Sequence, residues 1–151
     1  QQGYALFQQH CSSCHAEPLF TNGTFADNGL PIDTTLNDVG RETISQQEED
    51  RFHFQIPSLR NLSYTYPYMH DGRFRKLSQV LKHYAAGVHA RTQKQEILNG
   101  NLPLSSRDRA DLIAFLLTLN DQEFVFQPSH QFPRDAIPGP SPTNGPPSNS
   151  P

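Results

Sequence analysis

Apolar residues recur at helical spacing in three stretches of this chain. The spacing predicts helices over Gly3 to His10, Leu77 to Ala86 and about Arg107 to Leu119. Ser105-Ser106-Arg107-Asp108 has the form of a capping box at the start of the third helix. No comparable strand alternation is sustained, so we predict an all-α fold.

The segments between these helices are polar and irregular. Residues 16–47 are rich in Asn, Asp, Thr and Gly and predict a loop with one turn of helix. Residues 52–56 alternate apolar and polar positions until Pro57, which predicts a short extended segment with His53 exposed. On a helical wheel of about 100° per residue, Tyr84 shares the apolar face of the second helix, whereas His83 points away from it. We therefore expect Tyr84 to be inward and His83 outward, with Gly87 ending the helix.

Towards the C-terminus the apolar residues no longer recur at helical spacing. We predict one folded domain over residues 1–120, then an extended segment over 121–137 in which Phe124, Val125 and Phe126 dock. Six of the last fourteen residues are proline, so residues 138–151 form a Pro-rich tail that favours polyproline II or disorder. We expect this tail to rest on a neighbouring subunit in a homo- or hetero-assembly.

Composition narrows the class of protein. The chain has 151 residues and a hydrophobic fraction of 34%, which is low for a self-sufficient core of this size. Its 12 basic and 15 acidic residues give a net charge of -3 without a basic cluster, which argues against nucleic acid as a partner. The longest apolar run, Leu112 to Leu119, is too short to cross a bilayer, so we expect no membrane span.

The most informative motif is Cys11-Ser12-Ser13-Cys14-His15, the C-x-x-C-H pentapeptide of covalent haem c attachment. Two thiols at this spacing can form thioethers to one haem, and the next residue offers an imidazole to the iron. A zinc site would need further ligands, and the chain has no third cysteine. A bound porphyrin would also supply the missing apolar volume. Since haem c is attached on the exported side of a bacterial membrane, we expect a periplasmic or cell-surface protein, mature or excised, without a disulfide.

Five further motifs accompany this pentapeptide in a fixed order. They are Gly3-Tyr4-Ala5-Leu6-Phe7, Pro18-Leu19-Phe20-Thr21, Val39-Gly40-Arg41, Pro57-Ser58-Leu59-Arg60-Asn61 and Tyr66-Pro67-Tyr68-Met69-His70-Asp71-Gly72-Arg73-Phe74. Together they resemble the C-terminal haem domain of the bacterial dihaem cytochrome c peroxidases, and in particular the MauG branch, which oxidises protein tryptophan residues. The resemblance covers Gly3 to Leu119 and implies a class I cytochrome c-like domain with long loops.

The resemblance also implies roles for individual residues. His15 would be the proximal iron ligand, and the family position of the distal ligand, a methionine or a tyrosine, falls on Tyr84. A calcium ion between the two domains of the family is held partly by main-chain carbonyls at positions that correspond to Thr65 and Pro67. From the residues themselves, Arg41 and Arg60 are candidate contacts for the haem propionates through paired N–H donors.

Two distal ligands remain open, and they predict different chemistry. Met69 lies in a loop between Pro67 and Gly72, a common setting for a thioether ligand that stabilises Fe(II) and raises the reduction potential. Tyr84 as a phenolate would stabilise Fe(III) and lower the potential. Helical phase and the family position favour Tyr84.

We therefore expect the electron-transfer half of a cytochrome c peroxidase-like or MauG-like system. The chain has one C-x-x-C-H motif and no tryptophan. The resemblance then implies that another domain or chain supplies the peroxide-activating haem, and that an electron donor protein takes part. The alternative is a stand-alone monohaem carrier, or a subunit of a multi-cytochrome assembly, without peroxidase activity. Whether this chain is itself an enzyme stays open at this point.

Overall fold

Helices dominate the fold. The computed structural model describes residues 1–89 and 100–130. The helices are α1 (Gln2–His10), α2 (Glu42–Ser45), α3 (Leu77–Ala86), α4 (Ser106–Leu117) and α5 (Gln122–Phe126), and three short 3-10 turns span Glu48–Asp50, Leu62–Tyr64 and Pro128–His130. Strands β1 (Phe25–Ala26) and β2 (Phe54–Gln55) form an antiparallel pair. The predicted fold class is confirmed, with a minor two-stranded sheet added to it.

The three predicted helices form at the predicted places, and the predicted end signals of two of them, α3 and α4, are satisfied. The Asp108 amide donates to Ser105 Oγ at 3.2 Å, and the Ser105 amide donates to Asp108 Oδ2 at 2.9 Å, which completes the capping box of α4. Gly87 caps the C-terminal end of α3, where its amide donates to the His83 carbonyl at 2.7 Å. None of the helices in the described part of the chain has the length and apolar character that crossing a bilayer requires.

Helices α1 and α4 pack closely and carry the core. Gly3 makes the close approach possible, because a methyl group there would lie 2.9 Å from Phe115 Cβ. Phe7 of α1 is fully buried, and its ring centroid lies 5.1 Å from that of Phe115. The buried core cluster consists of Leu6, Phe7, Phe20, Leu81, Leu104 and Leu112. Since Cys11 packs against this cluster, the end of α1 is held firmly where the haem motif begins.

The chain forms two units by its internal contacts, Gln1–Asp121 and Gln122–Pro151. The described part of the second unit contains α5 and the 3-10 turn that follows it. The predicted extended conformation of Phe124, Val125 and Phe126 is therefore wrong. Local hydrogen bonds satisfy this backbone instead, as in the bond from the Gln127 amide to the Phe124 carbonyl at 3.4 Å. The predicted Pro-rich tail lies outside the described residues.

Two other expectations change in the loops. Residues 16–47 contain the predicted turn of helix, α2, but also β1, which pairs with the extended segment that contains β2. His53 was expected to be exposed and is half-buried. The reason is a bridge to Gly40, where a methyl group would lie 2.5 Å from the His53 carbonyl oxygen.

Candidate haem site

The haem motif forms a tight turn directly after α1. The Cys11 amide still donates to the Phe7 carbonyl at 2.8 Å, and the amides of Cys14 and His15 donate back to the Cys11 carbonyl at 3.2 and 2.9 Å. Both cysteines are free thiols and half-buried. Burial, with a contribution from the neighbouring Cys14, raises the pKa of the Cys11 thiol to about 11. The turn therefore presents two thiol groups and an imidazole within five consecutive residues.

The His15 ring is oriented by two main-chain carbonyls. His15 Nδ1 lies 3.2 Å from the carbonyl oxygen of Phe20 and 3.1 Å from that of Pro57. Because carbonyl oxygens only accept hydrogen bonds, Nδ1 carries the hydrogen and the lone pair resides on Nε2. Burial lowers the pKa of His15, although the two carbonyls act in the opposite direction. A neutral imidazole with a free Nε2 is the form that binds a metal ion.

The two carbonyls are held in place by contacts between distant segments. Arg60 Nη2 donates to the Pro18 carbonyl at 2.6 Å, and Ser58 Oγ donates to the Leu19 carbonyl at 2.6 Å. The Leu59 amide donates to the Phe20 carbonyl at 3.2 Å. These bonds join two of the sequence motifs into one support behind His15.

Tyr84, the favoured candidate for the distal ligand, is a half-buried residue of α3. Burial raises the pKa of its hydroxyl to about 12; a hydrogen bond with the Asn28 side chain lowers it, and the thiols of Cys11 and Cys14 raise it further. Tyr84 therefore shares an electrostatic environment with both cysteines. The role of Tyr84 as the distal ligand stays a prediction.

Met69 lies in the neighbouring loop and meets the same asparagine. Its backbone has a φ of 72°, in the left-handed region, within a loop closed by the Tyr68–Phe74 bridge. Asn28 Nδ2 donates to Met69 Sδ at 3.4 Å. Asn28 therefore contacts one of the two candidate distal ligands, Met69, directly.

The prediction that His83 points outward is wrong. Its exposed fraction is 5%, and its Nε2 donates to the Asn28 carbonyl at 3.0 Å. A helical wheel predicts burial only from the apolar residues of the helix itself. In the fold, α4 covers one side of α3 and the loop around Asn28 covers another side. The ring of Phe74 adds a tilted contact with a centroid distance of 6.2 Å. His83 is a buried structural histidine that anchors this loop.

The remaining predicted site residues have protein partners in the structure. Arg41 Nε forms an ion pair with Asp50 at 2.9 Å, and its guanidinium lies 4.6 Å from the centroid of the Phe25 ring. Arg60 supports Pro18, as described above. The propionate contacts of both arginines stay predictions. Thr65 and Pro67 are exposed and flank the Tyr66 position at the start of the Met69 loop, and their role in binding calcium also stays a prediction.

Sequence reasoning missed Asn28 and the two carbonyl groups behind His15. The Asp27-Asn28-Gly29 run predicts only a turn, which it forms, with the Leu30 amide donating to Asn28 Oδ1 at 3.2 Å. Main-chain acceptors carry no sequence signal of their own. The two carbonyl groups nevertheless belong to the Pro18-Leu19-Phe20-Thr21 and Pro57-Ser58-Leu59-Arg60-Asn61 motifs.

The donor set fits a covalently bound haem c. Two thiols lie on one turn, an oriented imidazole follows them, and the side chains of Tyr84 and Met69 offer an oxygen and a sulfur of the kinds that bind haem iron. The sequence also matches the family model described as Cytochrome c over residues 1–120.

Individual relatives agree with this match. The methylamine utilization protein MauG of Methylorubrum extorquens is 38% identical over 123 residues, which cover 79% of this chain and 34% of that protein. The cytochrome-c peroxidase IdrP1 of Pseudomonas sp. (strain SCT) is 30% identical over 172 residues, which cover 94% of this chain and 45% of that protein. A crystal structure of a MauG-like protein associated with microbial copper homeostasis superposes with a TM-score of 0.75 at 27% identity, covering 85% of this chain and 48% of that one. The chain thus spans between a third and a half of the length of these relatives.

Proposed function

Because this chain belongs to the cytochrome c family and is related to part of MauG and of the dihaem cytochrome c peroxidases, we propose that it is the electron-transfer domain of such a system. It passes electrons or oxidising equivalents to and from a peroxide-activating haem that another domain or chain supplies. When bound, haem c supplies a one-electron Fe(II)/Fe(III) couple.

The observation that supports this proposal is that the chain offers a candidate imidazole ligand and a candidate tyrosine ligand beside its two cysteines. His15 presents a free Nε2, and Tyr84 lies in the same environment as both cysteine thiols. Iron with two protein ligands has no open position for peroxide, so it suits electron transfer. Peroxide chemistry would require one of the ligands to leave.

Each residue then has one task. Cys11 and Cys14 form the thioethers, and His15 binds the iron while its Nδ1–H stays on the carbonyls of Phe20 and Pro57. Tyr84 is the favoured distal ligand. As a phenolate it is a hard anion, which stabilises the ferric state and keeps the reduction potential low.

The partners follow from the same argument. Relatives at least twice as long as this chain have room for a second haem domain, and we propose that such a domain, or a separate cytochrome chain, completes the system. An electron donor protein supplies the reducing equivalents. Main-chain carbonyls of Thr65 and Pro67 contribute to a calcium site at the junction with that domain. The compartment is the periplasm or the bacterial cell surface, where haem c is attached.

A second function is supported by the position of Met69. Its sulfur lies 3.4 Å from Asn28 Nδ2 and is half-buried. If the thioether binds the iron, the protein is a monohaem electron carrier or a subunit of a cytochrome assembly without peroxidase activity. The soft neutral sulfur would stabilise Fe(II) and raise the potential.

The test is the near-infrared and EPR spectrum of the ferric haem-loaded protein, repeated on Tyr84→Phe and Met69→Leu. An oxygen-ligated signature that only Tyr84→Phe removes supports the peroxidase-type domain. A sulfur-to-iron charge-transfer band that only Met69→Leu removes supports the carrier. The intact mass of the native complex then separates the partner models, since a second haem-bearing chain supports the first function.

A further inference from the structure

Thr21 joins the two chain segments that orient the His15 ring. Its amide donates to the Ala16 carbonyl at 3.2 Å, directly after the haem motif. Its Oγ1 donates to the Ile56 carbonyl at 2.6 Å and accepts from the Gly23 amide at 3.0 Å. A hydroxyl group has one hydrogen to donate, and the bond to Ile56 uses it. The half-buried Thr21 side chain therefore ties the chain after the haem motif to the segment that begins at buried Ile56.

This bond lies beside both of the carbonyls that contact the His15 ring. Thr21 follows Phe20, and Ile56 precedes Pro57. His15 Nδ1 lies 3.2 Å from the Phe20 carbonyl oxygen and 3.1 Å from that of Pro57, so its single hydrogen is shared between them at nearly equal distances. The orientation of the ring consequently depends on how far apart the two carbonyls are. The bond from Thr21 to Ile56 joins their segments within one residue of each carbonyl.

The surrounding backbone limits how far Thr21 itself can move. The Asn22 amide donates to the Cys14 carbonyl at 2.9 Å, which holds the neighbour of Thr21 to the haem turn. On the other segment, the Ile56 amide donates to the Thr24 carbonyl at 2.9 Å. A part of the chain that is fixed to the haem turn therefore sets the position of the Ile56 carbonyl.

We propose that Thr21 is a positioning residue for His15, and that its hydroxyl tunes the reduction potential of the bound haem by holding the Pro57 carbonyl against the imidazole. This inference rests on the proposed function, in which His15 binds the iron. Without the hydroxyl, the Ile56 carbonyl loses a partly buried hydrogen bond and turns towards another donor, because an unsatisfied buried acceptor is costly. The adjoining Pro57 carbonyl then moves away from His15 Nδ1.

The effect on the iron follows from the hydrogen bond on the far side of the imidazole. A carbonyl that accepts from Nδ1–H raises the basicity of the ring as a ligand. A more basic ligand stabilises Fe(III), so it lowers the reduction potential. Weakening the bond to Pro57 should therefore raise the potential, while the two thioethers and His15 stay in place.

Three variants isolate the hydroxyl group, and a fourth is the matched control. Thr21→Val keeps the branched shape and removes the hydroxyl, whereas Thr21→Ser keeps the hydroxyl and removes the methyl group. Thr21→Ala also removes the hydroxyl and introduces no new atoms, so it serves if valine prevents folding. The control is Thr118→Val, because Thr118 Oγ1 donates to the Phe115 carbonyl at the same distance, 2.6 Å, at the C-terminal end of α4.

The experiment measures two properties of the haem-loaded chain and its variants. Spectroelectrochemical titration gives the reduction potential, and NMR of the reduced protein with isotopically labelled histidine gives the rate at which the His15 Nδ1 hydrogen exchanges with solvent. Thr21→Val and Thr21→Ala should exchange this hydrogen about tenfold faster, the change expected from losing one hydrogen bond. Their Fe(III)/Fe(II) ratio at a fixed potential should fall at least about threefold, which is about 28 mV for one electron. Thr21→Ser and Thr118→Val should match the unaltered protein.

The outcomes that would overturn the inference are distinguishable. An unchanged potential and exchange rate in both Thr21→Val and Thr21→Ala would reject the positioning role and leave the proposed function intact. Equal changes in Thr118→Val would reject it too, since the loss of an unrelated hydroxyl would then have the same effect. If Thr21→Ser behaved like Thr21→Val, the methyl group and not the hydroxyl would be responsible. A His15 Nε2 resonance that shows no bond to iron in the unaltered protein would reject the proposed function and the inference together.

Discussion

Gly3 of α1 lies so close to the carbonyl oxygen of Asp111 in α4 that a methyl group on Gly3 would clash with it, so the two helices meet through their backbones at this point. We expect Gly3→Ala to separate the helices that hold the start of the haem motif. Overpacking of this kind costs about 3 kcal/mol of unfolding free energy. Thermal unfolding of the haem-loaded protein, followed by far-UV circular dichroism, measures the loss.

The matched control for that substitution is Gln9→Ala, an exposed position on the same helix. It adds no contact with α4, so it should leave the unfolding temperature nearly unchanged. Equal stability of Gly3→Ala and Gln9→Ala would contradict the close packing of α1 on α4.

The capping box of α4 predicts a stability difference that depends on pH. Hydrogen bonds from the Ser105 side chain and backbone lower the pKa of Asp108 below its ordinary value. A carboxyl group with a lowered pKa in the folded state stabilises the protein above its unfolded pKa, and the stabilisation is lost as pH falls through the folded pKa. Asp108→Asn should therefore lower the unfolding temperature at pH 7, and this deficit should shrink as the pH falls below the ordinary pKa of an aspartate.

Ser105→Ala is the control for this pH dependence. It removes the Oγ acceptor of the Asp108 amide and should cost about 1 kcal/mol, part of which persists in acid because that hydrogen bond involves no ionised group. A deficit of Asp108→Asn that is the same at pH 3 and pH 7 would show that the carboxylate does not stabilise the helix terminus by its charge.

The reduction potential of the haem should depend on one tyrosine. If Tyr84 binds as an anion, Tyr84→Phe removes a ligand that favours Fe(III), and the potential should rise by at least about 60 mV, a tenfold change in the Fe(III)/Fe(II) ratio for one electron. Spectroelectrochemical titration gives the value. Tyr68→Phe is the matched control, because the Tyr68 hydroxyl donates to the Leu62 carbonyl at 2.8 Å. Equal potentials for the two variants would argue against Tyr84 as the ligand.

Peroxide turnover should be slow for the haem-loaded chain on its own. Both axial positions are filled by protein ligands in the proposed function, so hydrogen peroxide has no access to the iron. Opening the distal side with Tyr84→Ala combined with Met69→Leu should increase the turnover measured with a small reducing dye. Rapid turnover by the unaltered chain, free of every partner, would refute the assignment to electron transfer.

Local signals explain what could be predicted from the sequence. The apolar spacing of α1, α3 and α4, the Ser105–Asp108 box and the stop at Gly87 each depend on residues close together in the chain. The haem motif is equally local. These features could be predicted without knowing which segments of the chain pack against each other.

The unpredicted features all depend on contacts between distant segments. His83 is buried because the loop around Asn28 covers a side of α3 that looks polar on a wheel. The short strand β1 exists because residues 54–55 lie beside it. The ion pair of Arg41 with Asp50 likewise depends on how two loops meet, and the sequence alone offers several equivalent partners.

Covalent attachment of the haem and orientation of the His15 imidazole depend on different parts of the sequence. Five consecutive residues are enough to tether a porphyrin to this chain, but the hydrogen bonds that aim the imidazole come from carbonyls 5 and 42 positions away. Loosening of the segment around Pro57 would therefore free the ring to rotate while the cofactor stays tethered. The visible absorption of the protein shows that haem is attached, whereas its reduction potential depends on whether the whole domain is folded.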